Sequence, residues 1–291
     1  MWVPITIVAA IFQTARTALQ QRLRALLSVS GAGFVRYLYG APIAITAIVT
    51  VRLVGGPLPG PPWRFWPIIA GAGLAQIVGT ILMIRAFDAR NYAIGTVYTK
   101  TEVVQVAVFS LVFLGEPLRP LGWVAALVCF AGVVVLAGGR RVLRVRDRAA
   151  LLGVAAGGLF ALASVGIRAA SVSLGDAPVV TRALLTLAVM NSMQVVMHGG
   201  YLVAREPAQL SLAVRHWRSS AWVGVLSVCG SACWTLAFTL ENAARVRTFG
   251  QVEIVFTFLV ARLWLDERHG RNEYLASALV LAGVIGVLVA G

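Results

Sequence analysis

The sequence predicts an all-α membrane protein whose ten transmembrane helices form two inverted repeats of five. Three observations support this fold class. The 291-residue chain is 59% hydrophobic and 12% charged, with a mean hydropathy of +0.85, which is more apolar surface than a single soluble core can bury. Its apolar runs reach the length of about 20 residues that crosses a bilayer. The second half of the chain also repeats residue types of the first half at a constant spacing.

The predicted spans are ten apolar runs separated by proline, glycine and charged residues. They cover approximately 3–22, 31–52, 66–87, 92–114, 119–139, 149–170, 178–203, 219–241, 246–265 and 272–290. The arginine-rich segment 140–148 separates the fifth span from the sixth and lies at the midpoint. We therefore predict a first five-helix repeat over 1–140 and a second over 141–291, within one transmembrane domain.

The two halves align without a gap at a shift of 151 residues. The shift superposes Trp66 on Trp217, Ala86-Phe87 on Ala237-Phe238, Asn91 on Asn242, Glu102 on Glu253, Glu116 on Glu267 and Gly132 on Gly283. Because each repeat has an odd number of spans, the second must enter the membrane in the opposite direction. Many secondary transporters are built in this way, with a substrate site near the membrane midplane between the repeats.

Several of these matched positions resemble the EamA branch of the drug/metabolite transporter superfamily. The features that carry the resemblance are Arg36 and Arg182 early in each second helix, Ala86-Phe87 and Ala237-Phe238 at the end of each third, Leu114-Gly115-Glu116 and Leu265-Asp266-Glu267 at the end of each fourth, and Gly132-Val133-Val134 and Gly283-Val284-Ile285 in each fifth. The resemblance covers essentially the whole chain and implies a transporter. One departure is that members often carry a proline midway along the fourth and ninth helices, where this sequence has Glu102 and Glu253.

Glu102 and Glu253 are the first candidates for a functional site, because an ionisable group at bilayer depth costs at least about 2.5–3.5 kcal/mol. Glu102 lies about ten residues into its predicted span, which places it near the midplane. We predict that both glutamates bind substrate and couple transport to protons, trading a proton for a cationic or zwitterionic solute. The alternative is that each glutamate is held by a nearby arginine in a structural ion pair.

Three further candidates for substrate binding surround Glu102 in the prediction. Tyr98 and Gln105 share its helical face, at i−4 and i+3. Arg36, early in the second span, is placed to pair with a carboxylate, either that of the substrate or that of Glu102. Together these side chains are suited to an amphipathic solute.

Gln13, Gln76 and Trp234 complete the predicted substrate-binding set. Gln13 belongs to a polar stripe on the first span, which must face the bundle interior or water. Gln76 and Trp234 lie on the corresponding faces of the third and eighth spans. Trp234 is mid-span, where its ring can stack on a cation or an aromatic group. Close packing between helices is the competing explanation.

The sequence predicts no cofactor and no metal site. It has no glycine-rich phosphate loop ending in Lys-Ser/Thr, no His-Glu-x-x-His and no Gly-x-Ser-x-Gly. The net charge of +14 comes from arginines that mostly lie between apolar runs, so we expect membrane lipid rather than nucleic acid as a partner. A small-molecule substrate and protons are the other expected partners. The oligomeric state is open, and a monomer fits the sequence.

These features predict a secondary active transporter of the inner (plasma) membrane. We expect it to export a small polar or amphipathic metabolite, such as an amino acid or an amine, by alternating access. The alternative is a membrane-embedded enzyme or lipid-handling protein that acts on a headgroup. The orientation is open: arginines concentrate after the odd-numbered spans, which places both termini outside, whereas the resemblance implies that both are inside.

Overall fold

A computed structural model of the chain describes residues 1–89, 98–136, 148–254 and 271–290. These residues form helices and contain no strand, which confirms the all-α prediction. In chain order the helices are α1 (Trp2–Leu23), α2 (Val29–Leu53), α3 (Phe65–Ala89), α4 (Glu102–Leu114), α5 (Pro120–Leu136), α6 (Arg148–Val172), α7 (Val179–Arg205), α8 (Pro207–Arg215), α9 (Trp217–Leu240), α10 (Ala243–Gly250) and α11 (Arg271–Val289).

Most of the predicted spans correspond to single helices. Seven helices begin and end within two residues of the predicted bounds, namely α1, α2, α3, α6, α7, α9 and α11. Among the described residues, five helices are long and apolar enough to cross a membrane, namely α2, α7, α9 and the greater parts of α3 and α6. Shorter apolar helices are Glu102–Leu114, Pro120–Val135 and Tyr274–Val289. The count of ten stays a prediction, because parts of three predicted spans lie outside the described residues.

The distribution of side chains suits a lipid environment. Large apolar side chains such as Val112, Phe113 and Val196 are exposed, whereas the charged side chains of Arg36 and Glu102 are buried. In water such an exposed apolar surface would favour association. In a bilayer it contacts hydrocarbon, and polar groups are driven to the interior. The chain is therefore a multi-pass membrane protein.

The prediction of an unbroken helix over 92–114 is wrong in its described part. Tyr98 and Thr99 are helical, Lys100 and Thr101 form a turn, and α4 begins at Glu102. The Thr101 hydroxyl donates a hydrogen bond to the Tyr98 carbonyl oxygen at 2.6 Å. A side chain that bonds to the backbone in this way competes with the helical hydrogen bonds, which gives a local cause for the break.

The ninth predicted span, 246–265, has a break at the matching position. The helix α10 ends at Gly250, Gln251 forms a turn, and residues 252–254 are helical again. At the shift of 151 residues, Gln251 superposes on Lys100. The interruption thus occurs at equivalent points of the two halves.

A short helix that the sequence did not predict lies between the seventh and eighth spans. This helix, α8, contains nine residues and has Pro207 at its start, where the missing amide hydrogen and the fixed φ angle of proline suit a helix. The Ser28 amide donates to the Gln209 side chain at 2.8 Å, and the Ser28 hydroxyl bonds to Glu206. These bonds attach the segment around α8 to the start of α2.

The chain forms two compact units that each draw on both halves of the sequence. Unit 1 comprises Met1–Ile81 with Gly166–Leu240, and unit 2 comprises Leu82–Val165 with Glu241–Gly291. In unit 1, α9 packs against α1 and α2, and α2 also packs against α7. In unit 2, α5 packs along α11 and α4 packs against α10. The predicted repeats, 1–140 and 141–291, stay a prediction.

Glycines permit the close packing of α5 on α11 in unit 2. A Cβ atom at Gly132 would lie 2.9 Å from the Ala276 carbonyl oxygen, and one at Gly283 would lie 2.5 Å from the Cβ atom of Cys129. Contacts that short exclude any larger residue unless the helices move apart. Small residues at the crossing let helix backbones approach in a membrane, where lipid contact gives no hydrophobic drive to associate.

The motif Leu114-Gly115-Glu116 ends α4 and connects it to α10. Gly115 adopts a left-handed conformation, with φ of +64°, which closes the helix through bonds to the Leu111 and Ser110 carbonyl oxygens. The Asn242 side chain donates to the backbone oxygen of Glu116 at 3.2 Å and accepts from the Ala244 amide at the start of α10. Glu116 therefore has a structural role in the described part of the chain. The matching segment 265–267 lies outside the described residues.

Candidate functional site

Four charged side chains form a largely buried cluster in unit 2. Arg247 Nε lies 2.9 Å from Glu102 Oε1, and the Lys100 ammonium forms an ion pair with the Glu253 carboxylate. In each pair one residue comes from the fourth predicted span and the other from the ninth, with the charges reversed. The cluster is formally neutral, because it contains two carboxylates and two cations. We call these four residues the charge cluster.

The helix breaks place the Glu102–Arg247 pair at helix ends whose dipoles favour it. Glu102 lies in the first turn of α4, where the amide groups give a partial positive charge, and Arg247 lies in the last turn of α10, where the carbonyl groups give a partial negative charge. Such placement lowers the cost of burying each charge. A continuous helix would not supply these ends.

Arg247 also contacts a neutral partner. Its Nε atom donates a hydrogen bond to Ser164 Oγ at 2.9 Å, and Ser164 in turn donates to the Phe160 carbonyl oxygen. Because Nε carries a single hydrogen, which points to Ser164, its contact with Glu102 Oε1 is an electrostatic attraction rather than a second full hydrogen bond.

A glycine of α6 allows that helix to approach the break before α4. A Cβ atom at Gly157 would lie 2.8 Å from the Thr99 carbonyl oxygen and 3.1 Å from the Glu102 amide nitrogen. A larger residue would therefore collide with the turn that carries Lys100 and Glu102. Small size at this position is a packing requirement of the charge cluster.

The predicted neighbours of Glu102 are only partly where the sequence placed them. Gln105 follows Glu102 by one turn in α4, and its side chain donates to the Val154 carbonyl oxygen of α6 at 3.3 Å. Tyr98 is buried, but the turn at Lys100 and Thr101 separates it from α4. The prediction that Tyr98 and Glu102 share one continuous helical face is therefore wrong.

Both predicted glutamates are paired, as the alternative interpretation of the sequence expected, although Glu253 pairs with a lysine. The cation beside Glu102 is Arg247. Pairing of Arg36 with a substrate carboxylate stays a prediction. Lys100 and Arg247 were not among the site residues predicted from the sequence. The available signal was the sole lysine of the chain, two residues from a glutamate that already required a counterion.

A second polar cluster lies in unit 1 around Arg36. Its Nε donates to Ser227 Oγ at 3.0 Å and its Nη1 to Thr80 Oγ1 at 3.1 Å. Its guanidinium carbon lies 5.3 Å from the centre of the Tyr37 ring. Arg36 is 5% exposed, and these contacts in the described part of the chain are neutral. The arginine is a buried cation held by dipoles and a ring.

The other predicted residues of unit 1 take part in hydrogen bonds between helices. Trp234 Nε1 donates to Gln13 Oε1 at 3.0 Å, which joins two candidates that the sequence had placed separately. The Trp234 ring stacks on Phe238 at 5.8 Å. Gln76 Oε1 accepts from Gln194 Nε2 at 2.9 Å. Gln13 and Trp234 therefore link α1 to α9, and Gln76 links α3 to α7.

Within the ranges that the structure describes, no group of three or more His, Cys, Asp or Glu side chains could hold a metal ion. The cysteines at 129, 229 and 233 are unbridged. The two polar clusters thus consist of ion pairs and hydrogen bonds.

The fold and the candidate site define the class of protein. It is a multi-pass membrane protein with polar clusters in its interior. The EamA-like transporter family matches residues 1–138 and 147–289. The chain belongs to this family, which confirms the resemblance noted in the sequence.

Two individual proteins are also similar. A Sinorhizobium protein described as an uncharacterized transporter in the cobO 3′ region is 33% identical over 76 residues, which are 26% of this chain. The chain spans about half the length of that relative, 54%. A protein of known crystal structure superposes with a TM-score of 0.74 at 17% identity, over 99% of this chain and 98% of its own. At that identity the likeness shows the fold alone.

Proposed function

We propose that this protein is a secondary active transporter of the inner (plasma) membrane that exports a small polar or amphipathic metabolite, such as an amino acid or an amine, in exchange for protons. The observation that carries the proposal is the charge cluster of unit 2. Near their breaks, the fourth and the ninth predicted spans each contribute one cation and one carboxylate to its two ion pairs. Membership of the EamA-like transporter family supports the transport function itself.

The cluster suits a zwitterionic substrate because it is neutral and made of the same two kinds of group. A substrate ammonium can take the place of Arg247 beside Glu102, and a substrate carboxylate can take the place of Glu102 beside Arg247. Removing one partner of a buried ion pair costs about 3–5 kcal/mol. A solute that brings both charges leaves neither protein group unpaired, so it avoids that cost.

Proton coupling follows from competition for the same carboxylate. A proton and an ammonium group both neutralise Glu102, and they do so in mutually exclusive states. If the proton binds on one side of the membrane and the cationic group leaves on the other, each cycle exchanges one for the other. Glu253 is the second carboxylate able to take this role, with Lys100 as its counterion.

Alternating access requires that the charges are exposed to one side at a time. The broken helices support this, since discontinuous helices commonly form the sites of transporters built from inverted repeats. Arg247 Nε lies 2.9 Å from Glu102 and also donates to Ser164, so the guanidinium keeps a neutral partner when the pair separates during the cycle.

The test is transport in proteoliposomes of the purified protein. Labelled amino acids and amines are offered with and without a pH gradient, and exchange of labelled for unlabelled solute is measured. Wild-type protein should exchange one of these classes and respond to the gradient. Turnover of a membrane lipid or solute without translocation would instead support the enzyme alternative.

The variants Glu102→Gln and Glu102→Gln/Arg247→Gln separate coupling from stability. The single change leaves a buried arginine without its carboxylate, so we expect both folding yield and transport to fall. The double change restores neutrality, so it should recover a monodisperse protein yet lack proton-linked exchange. Glu241→Gln/Arg245→Gln is the matched control. Glu241 and Arg245 form an ion pair at 2.8 Å, four residues apart, and their side chains are less buried than those of Glu102 and Arg247.

The outcome of the double variant decides the role of Glu102. If Glu102→Gln/Arg247→Gln transports at the wild-type rate with unchanged pH dependence, the pair is structural and the coupling proposal is wrong. If the control loses transport to the same degree, the effect does not belong to the charge cluster.

A further inference from the structure

A cavity at one end of unit 1 combines positive charge with apolar walls. Its volume is about 390 Å³, and it is lined by Leu19, Arg22, Leu23, Leu26, Arg218, Ser219 and Trp222. This volume lies in the range of about 300–1,000 Å³ that is usual for small-molecule sites. None of its lining residues belongs to the polar clusters described above.

The cavity lies at helix ends, where a membrane protein meets the headgroup region. Arg22 is in the last turn of α1, and Arg218 and Ser219 are in the first turn of α9. The two helices pack against each other, which brings these ends together. The start of α9 adds the partial positive charge of a helix N-terminus.

Positive charge extends beyond the cavity itself. Residues 19–28 and 205–222 contain five arginines and one acidic residue, Glu206. Glu206 accepts a hydrogen bond from the Ser28 hydroxyl. Arg22 and Arg218 are exposed, and the guanidinium carbon of Arg218 lies 5.7 Å from the centre of the Trp217 ring. This end of unit 1 therefore attracts anions.

The apolar part of the lining distinguishes an amphiphile from a soluble anion. Leu26 is 45% exposed and Trp222 is 64% exposed, and both border the cavity. Inorganic phosphate gains nothing from leucine and indole surfaces. A lipid has a charged phosphate joined to a glycerol and acyl chains, and it can use both kinds of surface at once.

We propose that this cavity binds the headgroup of an anionic phospholipid. Arg22 and Arg218 contact the phosphate, which guanidinium groups can bind through two parallel hydrogen bonds. The Ser219 hydroxyl donates to a phosphate or glycerol oxygen. Trp222 and the leucines contact the glycerol and the first carbons of the acyl chains.

The test compares lipids on the full-length protein. Purified protein is titrated with dioleoylphosphatidylglycerol or with dioleoylphosphatidylcholine, and retained lipid is counted by native mass spectrometry together with the unfolding temperature. Phosphatidylglycerol should be retained in preference and should raise the unfolding temperature saturably. Equal retention of the two lipids would overturn the proposal, and this comparison needs no variant.

Variants locate the site. Arg22→Gln/Arg218→Gln should weaken retention of phosphatidylglycerol by at least about tenfold. The matched control is Arg52→Gln/Arg64→Gln, since Arg52 lies in the last turn of α2 and Arg64 stacks on Trp63 at 5.5 Å, as Arg218 does on Trp217. Wild-type retention in the first variant, or an equal loss in the control, would overturn the assignment to this cavity.

A soluble anion is the remaining alternative. Glycerol 1-phosphate carries the same phosphate without acyl chains, and we expect it to leave the unfolding temperature unchanged at concentrations where phosphatidylglycerol saturates. If it stabilises the protein to the same extent, the cavity is a site for soluble phosphates and the lipid proposal is wrong.

Discussion

The two polar clusters hold their buried charges in different ways. In the charge cluster of unit 2 each charged side chain has a partner of opposite charge, as Arg247 has Glu102. In unit 1, Arg36 is bound by the hydroxyl groups of Thr80 and Ser227. Loss of one member of an ion pair leaves a buried charge behind, whereas loss of a cation among dipoles leaves only neutral groups. The comparison indicates that the four charges of the charge cluster balance one another, whereas the buried charge of Arg36 is held by neutral groups in the described part of the chain.

The largest expected effect tests this difference directly. Arg247→Gln should lower the free energy of unfolding by about 3–5 kcal/mol, because Glu102 loses its neighbouring cation. Arg36→Gln should cost less, about 0.5–1.5 kcal/mol for each hydrogen bond that the amide fails to replace. Denaturant titration in mixed micelles measures both. Equal losses would show that Arg36 also balances a charge, and the comparison would fail.

Arg36→Gln also separates an effect on stability from an effect on transport. If Arg36 binds a carboxylate of the substrate, Arg36→Gln should reduce exchange of amino acids more than exchange of amines, while the protein remains folded. An equal reduction for both classes would argue against this role for Arg36.

The sequence predicted the spans well because apolar length and helix-breaking residues are local properties. It did not predict the break before Glu102, because the segment Lys100-Thr101 contains neither proline nor glycine. The break depends on a hydrogen bond from the Thr101 side chain to the backbone and on the close approach of Gly157. The second of these is a tertiary contact, which one sequence does not reveal.

Several residues of the two polar clusters were predicted individually, but their partners were not. Gln13 and Trp234 were each recognised as polar positions within apolar spans, yet their hydrogen bond depends on the register of α1 against α9. Arg247 lies at the start of the ninth predicted span, where an arginine is typical of the membrane interface. Only the folded chain places it beside Glu102.

A smaller effect tests whether packing as well as charge fixes unit 2. Gly283→Leu should destabilise the protein by about 1–3 kcal/mol, because the side chain would overlap Cys129 and the Ala125 carbonyl oxygen of α5. Gly71→Leu is the matched control, since no atom lies within 4 Å of the position its Cβ would occupy. Thermal unfolding of both variants is the measurement. A loss for Gly71→Leu as large as that for Gly283→Leu would show that adding a leucine side chain destabilises the protein wherever it is placed, and the effect would not belong to the α5–α11 contact.

The smallest effect concerns the neutral hydrogen bonds of unit 1. Trp234→Phe removes the N–H group that Gln13 accepts but keeps an aromatic ring against Phe238, so we expect a loss of about 0.5–1.5 kcal/mol. Trp66→Phe is the control, because Trp66 is 45% exposed and its ring also lies against a phenylalanine, Phe65. If the Trp234 ring binds substrate, the KM for exchange should rise in Trp234→Phe and not in Trp66→Phe. If Trp234→Phe loses nearly as much stability as Arg247→Gln, a single neutral hydrogen bond in unit 1 matters as much as an ion pair in unit 2. The contrast between paired charges and neutral partners would then no longer explain the difference between the two clusters.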